Sequence, residues 1–119
     1  MGQFGGERSM VKQGDIIKVN FNPQKGHEQA GYRPAVVISN DVFNIKTRLA
    51  IVCPITNTNN HFPLHVPLDD RTETTGVVLC EHLRTLDLTS RPHSIIEKLP
   101  ADILERVIDI TTAEIEMIS

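Results

Sequence analysis

Along the chain, short apolar runs alternate with polar stretches that carry glycine and proline. In Asp15-Ile16-Ile17-Lys18-Val19-Asn20-Phe21, residues Ile17, Val19 and Phe21 alternate with polar neighbours, the period-two pattern of a half-buried strand. Residues 22–33 form a polar segment with two glycines, longer than the about two to five residues of a hairpin turn, and predict a long surface loop of the kind that carries function. Pro34–Ser39 and Leu49–Thr56 are near-continuous β-branched runs that predict central strands. Between them Asn40 or Asp41 can accept hydrogen bonds from free amides and cap a single helical turn over Asn40–Asn44. His65–Leu68 predicts a short edge strand, because Pro67 has no N–H to give to a ladder. Gly76–Leu83 predicts another strand and Ser94–Lys98 a last short one. From Pro100 onward Ile103, Leu104, Val107, Ile108, Ile115 and Ile118 recur at helical spacing, with Asp102, Glu105, Arg106, Asp109 and Glu116 mostly on other faces, so a terminal amphipathic helix is expected.

Five or more short strands followed by one helix, without a βαβ alternation, define a mostly β fold: a small barrel of antiparallel strands with the helix packed against it. The 119 residues, 39% of them apolar, suit one domain with one modest core. Residues 10–119 are expected to form it. The Gly-rich residues 1–9 precede a second methionine and read as a leader or disordered start. No apolar run approaches the roughly 20 residues that span a bilayer, and none has the form of a signal peptide, so a cytoplasmic protein without a membrane partner is expected. Cys53 and Cys80 lie inside apolar runs without a second cysteine at metal or redox spacing, and are expected as buried small hydrophobes.

Charge first argues against a polyanionic partner, since the net value is −3. The acids are segregated, however. Residues 97–119 hold Glu97, Asp102, Glu105, Asp109, Glu114 and Glu116 against Lys98 and Arg106, a local −4, while the remainder carries +1. The body of the domain is therefore free to present a local basic face.

Several short motifs occur in order: Gly14-Asp15-Ile16, Gly26-His27-Glu28-Gln29-Ala30-Gly31-Tyr32-Arg33-Pro34, Pro54-Ile55-Thr56, Thr75-Gly76-Val77-Val78 and Arg84-Thr85-Leu86-Asp87. Each is weak by itself, but the set, running from about Gly14 through the terminal helix, resembles the MazF/PemK toxin family. That resemblance implies an SH3-like barrel that forms a homodimer, cleaves single-stranded RNA at short sequences and is silenced by a cognate antitoxin, with DNA binding in the antitoxin complex. Two departures stand out: Ile17 occupies a position where many members carry tryptophan, and Glu81-His82 stand where Asp-Gln is common. His82 is expected to alter base recognition.

RNA cleaves itself when its 2′-hydroxyl attacks the adjacent phosphorus, so an enzyme must take a proton, stabilise added negative charge and protonate the leaving 5′-oxygen. No metal or other cofactor is required. The resemblance places suitable groups in one groove: Arg33 and Arg84 as bidentate phosphate binders, Thr56 as a hydroxyl donor, and Asp87 and His27 as proton-transfer groups. Arg33 precedes Pro34, which restrains it to extended geometry. Arginine is a poor general base, leaving that task to Asp87 or His27. Tyr32 can stack on an unpaired base or cap the core; Lys25, Gln29, Arg48 and His82 complete the candidate RNA contacts. The blander readings are a solvated loop arginine at position 33 and a surface ion pair between Arg84 and Asp87.

His61 and His65 have i, i+4 spacing, but Pro63 between them rules out the regular helix that would bring both onto one face for a metal. The main alternative is a non-catalytic toxin on the same barrel, similar to the gyrase poison CcdB, which binds a protein target and has no need of Arg33 or Thr56. A peptide-binding SH3-like module would want an aromatic groove, and four Phe, one Tyr and no Trp make that unattractive.

Overall fold

The computed structural model describes residues 10–21, 31–58 and 63–118; the leader 1–9, residues 22–30, residues 59–62 and Ser119 lie outside the described set. Among the described residues there are seven strands and two α-helices: β1 Asp15–Asn20, β2 Tyr32–Val37, α1 Asp41–Thr47, β3 Leu49–Thr56, β4 His65–Pro67, β5 Val77–Leu79, β6 Arg84–Asp87, β7 His93–Lys98 and α2 Ala101–Glu114. All pairings are antiparallel. β1 lies between β2 and β7, and β2 pairs β3 on its far side. β3 then divides its outer edge between two partners, β6 along Leu49–Val52 and β5 at Ile55–Thr56, and β5 carries β4.

Side-chain alternation along these strands builds a separate core on each face of the sheet. On one face Ile16, Val36, Ile38, Cys53 and Ile55 pack with Val66, Val78, Cys80 and Leu99 and receive Ile103 and Val107 of α2. On the other, Ile17, Val19, Ala35, Val37, Ala50, Val52, Leu86, Leu88 and Val11 are enclosed, with Phe21 at the margin. This second core explains why a strand such as β1 reads as nearly all buried, Lys18 being its one exposed residue. Cys53 and Cys80 are buried free thiols, as their sequence setting predicts.

Several expectations are corrected. The sheet is bent but not closed into a barrel: β6 and β7, consecutive in the chain, lie at separate edges and share no ladder. Tyr32 and Arg33 belong to β2, not to the preceding loop, because β1 extends far enough to pair Asn20 with Tyr32 and Val19 with Arg33. The run Gly76–Leu83 is not one strand. It is β5 followed by a 3-10 turn at Cys80–His82, and β6, absent from the sequence reading, begins after it. The single turn expected at Asn40–Asn44 is a seven-residue helix, with Asn40 accepting from the Phe43 amide at 2.8 Å and Arg48 (φ 63°) ending it. Its buried Asn44 donates to the carbonyls of Ser39 and Val11, fixing the helix to the sheet. Finally, α2 stops at Glu114, so Ile115 and Ile118 stand exposed beyond the packed helix.

Candidate functional site

Three of the expected site residues lie on the face of the sheet that carries the second core. In β6 Arg84 shares its face with Leu86, and pairs with Val52. In β3 Thr56 follows Ala50 and Val52 on the same side, and in β2 Arg33 follows Ala35 and Val37. The β2–β3 register, with Ala35 facing Pro54, brings Arg33 opposite Thr56 when carried two residues outward. Arg33 and Arg84 are exposed and Thr56 is half-buried, so the guanidinium groups rim a floor of β-branched side chains. Arg84 is aimed by Phe21, its guanidinium carbon lying 4.9 Å from the ring centroid. That contact spans from the end of β1 to the start of β6 across the mouth that the strand ladders leave open. Phe21 also leads into residues 22–30, which include the candidates Lys25, His27 and Gln29; those three lie outside the described residues.

The remaining candidates are placed elsewhere. Asp87 lies three residues after Arg84, so strand alternation turns it to the opposite face, and it pairs with Leu49 at the far end of β3. Its carboxylate accepts from the Thr89 hydroxyl at 2.6 Å and the Thr89 amide at 3.1 Å, and these bonds hold its pKa below the usual aspartate value. Asp87 therefore acts as the first residue of a tight turn into β7, not as an ion-pair partner of Arg84. Arg48 ends α1 next to Leu49, again at the other end of β3 from Thr56. Tyr32 is half-buried on the face opposite Arg33. His82 is exposed in the 3-10 turn, with Nε2 3.6 Å from Glu81 Oε2.

Backbone geometry at the site rests on two glycines. Gly76 (φ 118°) passes so close to β3 that a Cβ there would strike the Thr56 carbonyl, and a Cβ on Gly31 would collide with the buried Asn20 side chain. An open cleft of about 380 Å³, lined in part by Lys18, Pro34, Asn57 and Thr75, adjoins Arg33 and Thr56 from the other side of the sheet. In it the Thr75 hydroxyl donates to Asn57 Oδ1 at 3.0 Å. Sequence reasoning did not single out Phe21 or Asn57 as site residues, and marked Glu81 only as a departure from the family pattern. For Phe21 a signal was available, since it is the last apolar residue before the long polar segment. Among the described residues no group of three His, Cys, Asp or Glu side chains converges as a metal site would require, and His65 is instead engaged with Glu81.

The chain is thus a small β protein: an antiparallel sheet with two arginines and a threonine on one face and an acidic helix packed on the other. The chain matches the family of PemK-like, MazF-like toxins of type II toxin–antitoxin systems over residues 12–110, and it belongs to that family. It is 36% identical over 105 residues to endoribonuclease PemK of Escherichia coli, covering 85% of this chain and 79% of that one. With the endoribonuclease toxin MazF of Escherichia coli K12 the identity is 38% over 84 residues, 71% of this chain and 75% of the relative. Among solved structures, MazF of Deinococcus radiodurans superposes with a TM-score of 0.79 at 37% identity, covering 91% of this chain and 98% of that one. A MazE–MazF structure from the same organism gives 0.81 at 34% identity, over 92% and 99%.

Proposed function

We propose that this chain is the toxin of a type II toxin–antitoxin pair and cuts single-stranded RNA at a short sequence by metal-free 2′-hydroxyl attack. Its class of activity is endoribonucleolytic, in keeping with its PemK and MazF relatives. The observation that carries the finer reading is the placement of Arg33, Thr56 and Arg84 on one face of the sheet. Two guanidinium forks grip the non-bridging oxygens of one phosphate and offset the charge that builds as the 2′-oxygen bonds to phosphorus. The Thr56 hydroxyl donates a further hydrogen bond. As the P–O5′ bond breaks, the 2′ proton passes to a base and another proton reaches the departing 5′-oxygen, leaving a 2′,3′-cyclic phosphate and a 5′-hydroxyl. His27 is the better base: a neutral imidazole titrates near working pH, whereas Asp87 is turned away with its pKa lowered. Lys25, Gln29, Tyr32 and His82 remain candidate base and backbone contacts.

The partner is a cognate antitoxin, as MazE is for MazF in the related complexes, and a disordered antitoxin segment would order over the arginine face. The toxin works as a homodimer in the cytoplasm, where its RNA substrate and its two free thiols both fit. No helix among the described residues is long and apolar enough to cross a membrane. Incubation with a long single-stranded RNA in excess EDTA tests the reading. Cuts at one short sequence with cyclic phosphate ends are expected; intact RNA after exposure to folded, antitoxin-free protein would favour a toxin that only binds its target.

A further inference from the structure

We propose that His65 and Glu81 form a positioning pair that sets Arg84 from behind, through the 3-10 turn Cys80–His82 that launches β6. The inference rests on Arg84 being part of the RNA-cleaving face. His65 Nε2 lies 2.9 Å from Glu81 Oε2, joining β4 to the turn, and the histidine side chain is only 7% exposed. An ionised carboxylate accepts and cannot donate, so the imidazole carries its proton on Nε2 and donates. Burial pushes the Glu81 carboxyl up, but the bonds from its own backbone amide and from His65 outweigh it, and the net pKa is lowered. The other carboxylate oxygen, Oε1, is buried without a hydrogen-bond partner among the described residues.

The bond from the nearly buried His65 ring ties β4 to the turn, a link that an apolar side chain at position 81 would not make. The neighbours of Glu81 show what is being held. Cys80 anchors the turn in the core, and Arg84 starts β6 three residues after Glu81. Leu83 between them packs against the first core and β6 is held along its length by β3, so the His65–Glu81 pair fixes the turn at the end of the strand where Arg84 stands. A guanidinium stacked 4.9 Å from Phe21 tolerates little change there. The groups facing Glu81 are His65 from β4, His82 within the turn, Cys53 from β3, Cys80, and Glu114 of α2; Arg106 of α2 acts on Cys80. Glu114 is a like charge, and its own pKa is raised by burial and by Glu81. His65 is thus the neighbour that donates a hydrogen bond to the carboxylate.

The experiment is single-turnover cleavage of a long single-stranded RNA, in excess EDTA, by His65→Leu, His65→Gln, Glu81→Gln, Glu81→Ala and the His65→Leu/Glu81→Ala double variant. Each is paired with binding to a substrate lacking the attacking 2′-hydroxyl, and with the NMR signal of the Arg84 Nε–H, which the Phe21 ring shifts. Because an ångström of misplacement can cost roughly a hundredfold, His65→Leu and Glu81→Ala should each lower the chemical rate about 10- to 100-fold with affinity changed much less. The double variant should be no slower than the worse single one, and His65→Gln, which keeps an N–H donor, should recover part of the rate. The Arg84 signal should move toward an unstacked position in both slow variants. Cleavage at the wild-type rate by folded His65→Leu, with the signal unmoved, would overturn the proposal. So would complete loss in Glu81→Gln with the signal unmoved, because Glu81 would then transfer a proton itself. Arg84→Ala separates the two levels: if that variant still cuts, the reading of the site fails, whereas a dead Arg84→Ala beside a fast His65→Leu sinks only the positioning pair.

Discussion

Arg33 and Arg84 each depend on a planar fork, and a lysine keeps the charge but loses the paired geometry. Arg33→Lys and Arg84→Lys are therefore expected to slow cleavage by roughly one to three orders of magnitude, as loss of a transition-state donor does, with unfolding midpoints unchanged. Single-turnover kinetics beside urea melts would show it. Asp87→Asn should keep cleavage within about threefold, since an amide oxygen still accepts from Thr89 and the group faces away from the arginines. A loss as large as that of the arginine variants would restore Asp87 to the chemistry. At this scale the residue types were legible in the motifs, but their directions were not. Tyr32 and Arg33, or Arg84 and Asp87, look like partners in sequence, and only the strand boundaries reveal that each pair is split between the two faces. Those boundaries depend on register with β1 and β3, which no local pattern of residues 22–33 or 84–87 encodes.

Among the elements, the long central strands and α2 were legible because β-branched runs and helical spacing are strong local signals. The split of Gly76–Leu83 was hidden, since Val77 to Leu83 is apolar apart from Glu81 and His82, and the Glu81–His65 contact at the interruption joins residues 16 apart, beyond any local pattern. Truncating Ile103, 3% exposed beneath α2, should cost about 2–5 kcal/mol in Ile103→Ala, read from urea unfolding. Gly76→Ala should act more locally. Its Cβ has no room beside Thr56, so cleavage should fall more than stability, and a variant as active as the parent would show that β5 can move away. Glu97 ties β7 to the 73–74 segment by accepting from the Thr74 hydroxyl at 2.7 Å and the Thr74 and Glu73 amides at 2.8 and 3.0 Å. Burial raises its pKa, but these bonds win and the folded value is lowered. Its stabilisation is thus full above the ordinary glutamate range and is lost as pH falls through the lowered value. Glu97→Gln should be less stable than the parent at neutral pH, with the difference shrinking in acid; a gap independent of pH would contradict this.

For the molecule as a whole, open edges at β4, β6 and β7 and the exposed Ile95 and Ile96 leave surface that a twin could cover, so light scattering at micromolar concentration should report a dimer. A monomer there would count against a shared groove. The position of α2 has one more consequence. The exposed acids Asp102, Glu105 and Asp109 of that helix sit behind the sheet and Arg33 and Arg84 in front, so a chain whose net charge is −3 sets unlike charges on its two sides. If RNA is the substrate proposed above, such a split would turn it before contact, repelled by the back and drawn to the front. Salt would shorten the reach of this torque, to about 8 Å at physiological ionic strength, and slow association while leaving the chemical step alone.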